Sequence, residues 1–228
     1  MYKQAFQTYK EQFITILLVT LLMSILSLFT NVTFPVIALA AFIAFDTHRN
    51  ILIGEKIDFK STQLHVPKGS NRYKNFYWAY ARCFAILILG PLVPAVILTL
   101  VIVNLLGIGS FILILLLICA IIYSIMLPLY GSALPAASIG ADASYSSALK
   151  FSAPKFLYIV WKLAYGPIIF AILTIITAFN MPPLFPSITE GTSVYMVIHV
   201  AIAITVGLMI AFATVLVATI LSQVYMDS

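Results

Sequence analysis

The sequence predicts an all-α protein, a polytopic membrane bundle of six transmembrane helices with additional amphipathic helices in the interface. Composition, charge-free stretches and the placement of basic residues all support this prediction. Hydrophobic residues make up 63% of the 228 residues, only 8% are charged, and the mean hydropathy is +1.11. Average soluble chains contain about 25% Asp, Glu, Lys and Arg. So few charges cannot cover a 25.1 kDa globule in water, which excludes a soluble enzyme or nucleic-acid binder.

Long stretches without Asp, Glu, Lys or Arg define the predicted spans. They are Gln12–Phe45, Cys83–Ala141, Leu163–Thr189 and Gly191–Met226. A helix needs about 20 residues to cross the hydrocarbon core, so each of the first two stretches holds two helices. Turns are predicted at Thr30–Pro35 and Asn104–Ser110. The predicted spans are Phe13–Phe29, Phe34–Ile53, Tyr80–Val103, Phe111–Leu134, Leu157–Phe179 and Val194–Val224. Helices are expected because lipid requires backbone groups to be satisfied internally.

The basic residues predict the orientation of the bundle. Six spans place the N-terminus, the segments Asp46–Ala79 and Pro135–Phe156, and the C-terminus on one side of the membrane. That side, with the adjoining span ends, holds all 12 Lys and Arg residues. Basic residues favour the cytoplasmic side, so both termini are predicted to be cytoplasmic.

The spans group into three hairpins within a single membrane domain, at about 1–55, 72–137 and 145–228. The pair Gly90-Pro91 in the third span matches Gly166-Pro167 in the fifth, which indicates internal repetition; chance similarity between apolar segments is the alternative. Tyr2–Gln12 and Tyr145–Lys155 mix aromatic and basic residues. This mixture predicts short helices lying along the cytoplasmic leaflet.

The candidate site is a polar cluster at the end of the second span, formed by Asp46, His48, Arg49 and Glu55. If this span crosses the membrane fully, Asp46 and Arg49 lie in the inner third of the bilayer, where an unpaired charge is costly. Their i,i+3 spacing allows them to pair. The functional interpretation is a site for a lipid headgroup, a proton or a small anion. The structural interpretation is an interfacial anchor in which Arg49 snorkels and Asp46 offsets its charge.

Two short motifs carry a family resemblance. The stretch His48–Glu55 resembles the His-Arg…Leu-x-Gly-Glu motif that follows the second helix in a family of uncharacterised bacterial six-helix inner-membrane proteins. Leu134-Pro135-Ala136 is similar to a Leu-Pro-Ala motif after the fourth helix of that family. The layout is also similar to the membrane domain of some glycerophosphodiester phosphodiesterases, without their phosphodiesterase domain. The resemblance implies a location in the bacterial inner membrane and no established activity.

The remaining residues favour packing over chemistry. Cys83 and Cys119 are isolated in apolar stretches and are expected to be packed thiols. Close helix packing is predicted by a group of small residues: Gly131, Ser132, Ala133, Ala136, Ala137 and Ser138. We therefore expect no metal, cofactor, catalytic site or nucleic-acid partner. The predicted function is a non-enzymatic accessory or scaffold subunit that binds membrane lipids, another membrane protein or a second copy of the chain. A small transporter or channel subunit is the alternative, followed by an intramembrane enzyme that uses the Asp46 cluster.

Overall fold

The structure, a computed structural model, describes residues 1–26, 33–54, 73–106, 111–170, 173–174 and 193–227. These residues are overwhelmingly helical and contain no strand, which confirms the all-α prediction for them. The helices are α1 (Tyr2–Leu26), α2 (Thr33–Ile53), α3 (Tyr73–Leu89), α4 (Leu92–Leu106), α5 (Phe111–Tyr130), α6 (Ala133–Ile139), α7 (Tyr145–Ser152), α8 (Phe156–Leu163) and α9 (Ser193–Met226). A 3₁₀ turn, Ala153–Lys155, precedes α8, and a π-helix, Ala164–Ile168, follows it.

Two helical stretches in the described residues are long and apolar enough to cross a membrane. They are Trp78–Leu105, which runs through α3 and α4, and Val200–Met226 within α9. Leu117–Tyr130 and Ala133–Ile139 make a third if they form one span bent by 49°. These lengths and compositions agree with a membrane protein.

Helix breaks occur where the sequence places glycine next to proline or serine. Gly90-Pro91 separates α3 from α4, and Gly166-Pro167 lies in the π-helix, so both members of the predicted repeat interrupt regular α-helix. The fourth span was predicted to run as one helix to Leu134. In the structure α5 ends at Tyr130 and a bend at Gly131-Ser132 leads into α6, so the stretch is one span only if the bent pair crosses the membrane together.

The predicted separate interfacial helix at Tyr2–Gln12 is wrong. This segment forms the first turns of α1, which continues without a break to Leu26. Neither Pro nor Gly occurs between these ends, so nothing in the sequence stops the helix. The counterpart at Tyr145–Lys155 does form a distinct short helix, α7, because Pro154 follows it in the 3₁₀ turn.

Contacts between Cα atoms divide the chain into two compact units. The first contains Met1–Asn50 and Lys162–Ile220. In its core α1 packs against α9, and the buried members are Ala5, Ile16, Ile43, Ala211, Val215 and Leu216. Aromatic rings extend this core: Phe212 makes edge contacts with Tyr9 and Phe170, with ring centroids 5.0 Å and 4.6 Å apart. The Tyr9 hydroxyl also donates to the Leu208 carbonyl, at 3.4 Å.

Tyr2 packs beside the π-helix of the first unit. Pro167 has no N–H to give to the preceding turn, and the Lys162 carbonyl, five residues earlier, accepts a hydrogen bond from the Tyr2 hydroxyl at 3.0 Å. A Cβ atom on Gly166 would lie only 2.7 Å from Cε1 of Tyr2. The glycine therefore makes room for the ring that satisfies this carbonyl.

The second unit contains Ile51–Trp161 and Leu221–Ser228, and its centre is the short helix α6. Every residue from Ala133 to Ser138 is buried, and α6 packs against α3 and α7. Next to α6, the Ser132 hydroxyl lies 2.8 Å from the Ser152 hydroxyl. A Cβ atom on Gly131 would lie 2.8 Å from Cδ2 of Leu221. The small residues thus allow close helix packing, as the sequence predicted.

A capped turn fixes the start of α7. Gly140 ends α6 in the left-handed region at φ 74°, and the Ser144 hydroxyl accepts a hydrogen bond from the Ser147 N–H. The Asp142 carboxylate accepts hydrogen bonds from the Ser144 N–H and hydroxyl at 3.0 and 3.1 Å. The pKa of Asp142 lies below its ordinary value, mainly because the Ser144 N–H donates to the carboxylate. Hydrogen bonds from the Ser147 and Ser144 side chains lower it further. The position of α7 at the membrane surface stays a prediction.

Candidate functional site

The polar cluster at the end of α2 is buried. Asp46 is 5% exposed, His48 0% and Arg49 4%, and Thr47 between them is equally inaccessible. The three apolar residues before them, Ile43, Ala44 and Phe45, are also buried. The two helical turns from Ile43 to Arg49 are therefore enclosed on all of their faces, whereas the last residue of α2, Ile53, is exposed. Three of the four predicted site residues lie in this enclosed stretch, whereas Glu55 falls outside the described residues.

Gln12 of α1 is the partner that joins this cluster to a second helix. Its Nε2 donates to Oδ2 of Asp46, and its Oε1 accepts a weaker hydrogen bond from the Thr47 hydroxyl, at 3.5 Å. Gln12 itself is buried. Both ends of one amide thus bind two consecutive residues of α2, which sets the position of α1 along α2.

The other two described site residues do not join Gln12 in the same way. His48 follows Asp46 by two residues, or about 200° around an α-helix, so the two side chains leave α2 on opposite sides. The Arg49 guanidinium carbon lies 5.6 Å from the centroid of the Phe45 ring, one turn earlier on α2. This distance permits a cation–π interaction. The predicted Asp46–Arg49 pair stays a prediction.

The buried face of α1 is the feature that the sequence reasoning missed. Among the α1 side chains that the structure describes, the buried ones follow one another at intervals of three or four residues: Ala5, Thr8, Gln12, Ile16, Thr20 and Ser24. Four of these six are polar. Residues with this spacing form a narrow stripe along one face of the helix. In the sequence, the same stripe is visible as polar residues that recur with a helical period. We call this set the polar seam.

Two buried polar atoms in the first unit have no hydrogen-bond partner. They are the Thr20 hydroxyl oxygen, on a side chain that is 1% exposed, and the Asn50 amide nitrogen. Asn50 lies one helical turn after Asp46, on the same side of α2. Native proteins leave few buried polar atoms without a hydrogen bond, so these two are exceptions within this unit.

The remaining candidates behave as packing or surface residues. Cys83 and Cys119 are partly buried free thiols. Arg82 is exposed on α3, and Lys155 donates to the Asp227 carbonyl at 2.7 Å. Within the described residues, no group of three or more His, Cys, Asp or Glu side chains has an arrangement suited to a metal ion. What the described site shows is a set of buried hydrogen bonds that join Gln12 to Asp46 and Thr47.

Comparisons with known protein families, with curated proteins and with solved structures found no match to this chain. The resemblance carried by the His48–Glu55 and Leu134–Ala136 motifs therefore stays a prediction.

Proposed function

We propose that the chain is a six-span protein of the bacterial inner membrane, with both termini cytoplasmic, that acts as a non-enzymatic accessory or scaffold subunit. It binds membrane lipids, and through them or beside them another membrane protein or a second copy of itself. The observation that carries the proposal is the outer surface of the helices. Large apolar side chains are strongly exposed there, including Leu157 at 79%, Leu105 at 77% and Ile14 at 73%. Such a surface needs lipid tails or a partner helix to cover it.

Exposed basic residues near helix ends support lipid binding. Arg82 lies in the first turns of the stretch Trp78–Leu105, and Lys150 lies on α7 beside the exposed side chains of Leu149 and Phe151. This arrangement places apolar groups in the acyl region while a cation meets a lipid phosphate. The predicted concentration of all basic residues on one side of the membrane matches the anionic cytoplasmic leaflet.

A small transporter or channel subunit is the second candidate function. The observation that favours it is the polar seam, because a transport path needs polar groups along the interior of a bundle. The seam contains Gln12, which contacts the only described acidic residue on α2, Asp46.

Native mass spectrometry of the purified chain tests the lipid-binding proposal. The chain is extracted in mild detergent from membranes that contain phosphatidylethanolamine, phosphatidylglycerol and cardiolipin. We expect retained phospholipid, with anionic species enriched over their share in the membrane. Each basic residue near an anionic surface contributes about 1 kcal/mol, or about fivefold in affinity, so combining Arg82→Gln with Lys150→Gln should clearly reduce the enrichment.

Glu11→Gln is the matched control, because it removes an exposed charge of the opposite sign. We expect it to leave the enrichment of anionic lipids in place. A second protein retained in a fixed ratio would identify the partner-binding form of the proposal. A chain that retains neither lipid nor protein would contradict it.

A further inference from the structure

We infer that the chain forms a twofold-symmetric dimer through the side of α3 and α4 that carries the helix break at Gly90-Pro91. The inference rests on the proposed function, since it names a second copy as the partner and this surface as the contact. The stretch Trp78–Leu105 is long and apolar enough to cross a membrane, and Gly90 follows Trp78 by about 18 Å along the helix. The break therefore lies near the middle of a hydrocarbon core of about 30 Å.

Two prolines remove backbone donors at this break. Pro91 has no N–H for the Leu87 carbonyl, four residues earlier. Pro94 likewise has none for the Gly90 carbonyl. Leu87 is buried, whereas Gly90 is exposed. Non-helical backbone at membrane depth is tolerated only where protein or a water-filled cavity covers it, so the Gly90 carbonyl requires a covering group that lipid tails cannot supply.

The matching break in the first unit shows how the chain covers such a position. Gly166 and Pro167 are buried there, and the Tyr2 ring packs against Gly166. The Tyr2 hydroxyl also donates to the Lys162 carbonyl just before the π-helix. A neighbouring helix, α1, thus supplies both a close contact and a donor at this break. The corresponding glycine of the other break, Gly90, is exposed and needs an equivalent cover.

The surface around Gly90 suits a second copy of the same helix. Four exposed residues form what we call the break face: Ile86, Gly90, Val93 and Ile97. Their spacing of three or four residues places them on one side of the helix. Val93 is 63% and Ile97 56% exposed. None of the four residues is charged, so two copies of the face meet without placing like charges together.

Twofold symmetry supplies the missing donor. Glycine has no side chain, which allows two helix backbones to approach closely at Gly90. With Gly90 of each copy near the axis, the Cα–H group of one copy faces the carbonyl oxygen of the other, and symmetry repeats the contact in the opposite direction. A helix of a different protein would instead have to bring a hydroxyl group to this carbonyl, as Tyr2 does beside Gly166.

Disulfide cross-linking in isolated membranes tests the inference. In a background with Cys83→Ala and Cys119→Ala, a single cysteine replaces either Val93 on the break face or Ile121, which is 53% exposed on α5. Both are exposed apolar positions in the second unit, which makes Ile121→Cys the matched control. A disulfide needs Cβ atoms within about 4.5 Å. Oxidation with copper phenanthroline should therefore link Val93→Cys chains into dimers and leave Ile121→Cys chains as monomers.

Pro94→Ala and Pro128→Ala form a second matched pair. Each restores one backbone N–H, for the Gly90 carbonyl in the first variant and for the Ser124 carbonyl of α5 in the second. Because Pro94→Ala satisfies the carbonyl within its own helix, it should weaken dimerisation about fivefold, which corresponds to two contacts of about 0.5 kcal/mol each. Pro128→Ala should leave dimerisation unchanged. Native mass spectrometry of serial dilutions in detergent measures the dissociation constant, and circular dichroism shows that both variants are folded.

Several outcomes would overturn the inference. They are equal disulfide yields at Val93 and Ile121, a dimer that Pro94→Ala does not weaken, and a monomeric wild-type chain, whether alone or bound to a different protein. A monomer that retains phospholipid would overturn the dimer and leave the proposed function in place. Retention of neither lipid nor protein would contradict both.

Discussion

Gln12→Met is expected to lower the free energy of unfolding by about 3 kcal/mol, because it leaves the buried carboxyl group of Asp46 without its amide donor. The replacement keeps the length of the side chain, so the lost hydrogen bonds rather than a cavity dominate the effect. Unfolding in mixed detergent–SDS micelles, followed by circular dichroism, measures the difference. Gln7→Met is the control, since the Gln7 amide donates to Glu11 on the exposed face of the same helix. Its effect should stay within about 0.5 kcal/mol.

The double variant Gln12→Met with Asp46→Leu completes this test. Removing both members of this pair should return part of the stability, because the Thr47 hydroxyl still loses its Gln12 acceptor and the leucine removes the other contacts of Asp46. If Gln12→Met costs no more than Gln7→Met, the contact between α1 and α2 does not hold the site together.

Gly207→Ala is expected to destabilise the first unit by about 1–2 kcal/mol through overpacking. A Cβ atom at this position would lie only 2.5 Å from Cγ2 of Thr20, whereas the Thr20 hydroxyl oxygen is 3.9 Å away. Thr20→Ser removes that methyl group and keeps the hydroxyl. Combining it with Gly207→Ala should therefore cost less than the sum of the two single variants.

Thr219→Ser provides the control for this pair. Thr219 is a buried threonine on the same helix as Gly207, about 18 Å away along α9, and its hydroxyl donates to the Val215 carbonyl. Its effect should add simply to that of Gly207→Ala. If the effects of Gly207→Ala and Thr20→Ser also simply add, α1 and α9 do not approach closely at this point.

The sequence predicted much of the fold because membrane helices are local in origin. Apolar length alone identifies the helices, and Gly90-Pro91 marks the break between α3 and α4. The bend between α5 and α6 was not predicted, because a single glycine can also lie inside a continuous helix, as Gly207 does in α9. The prediction failed at Tyr2–Gln12, because the mixture of aromatic and basic residues suggested a separate helix although nothing there interrupts α1.

The site was only half predictable for a related reason. Charges in an apolar helix are conspicuous, so Asp46, His48 and Arg49 were identified from the sequence. The packing of these residues was not predicted from the sequence. The sequence suggested only Arg49, on the same helix, as a partner for Asp46, whereas the structure adds Gln12 from another helix, 34 residues away. The polar seam had a visible spacing, but only burial separates it from the exposed polar residues of the same helix.

Cysteine labelling in intact cells tests most directly the proposed six-span bundle with cytoplasmic termini. In a background carrying Cys83→Ala and Cys119→Ala, single cysteines replace Ser146, an exposed residue of α7, and Ser193, the first residue of α9. A membrane-impermeant maleimide should label Ser193→Cys in intact cells and Ser146→Cys only after the membrane is opened. Labelling of both positions in intact cells, or of Ser146→Cys alone, would contradict the proposed topology.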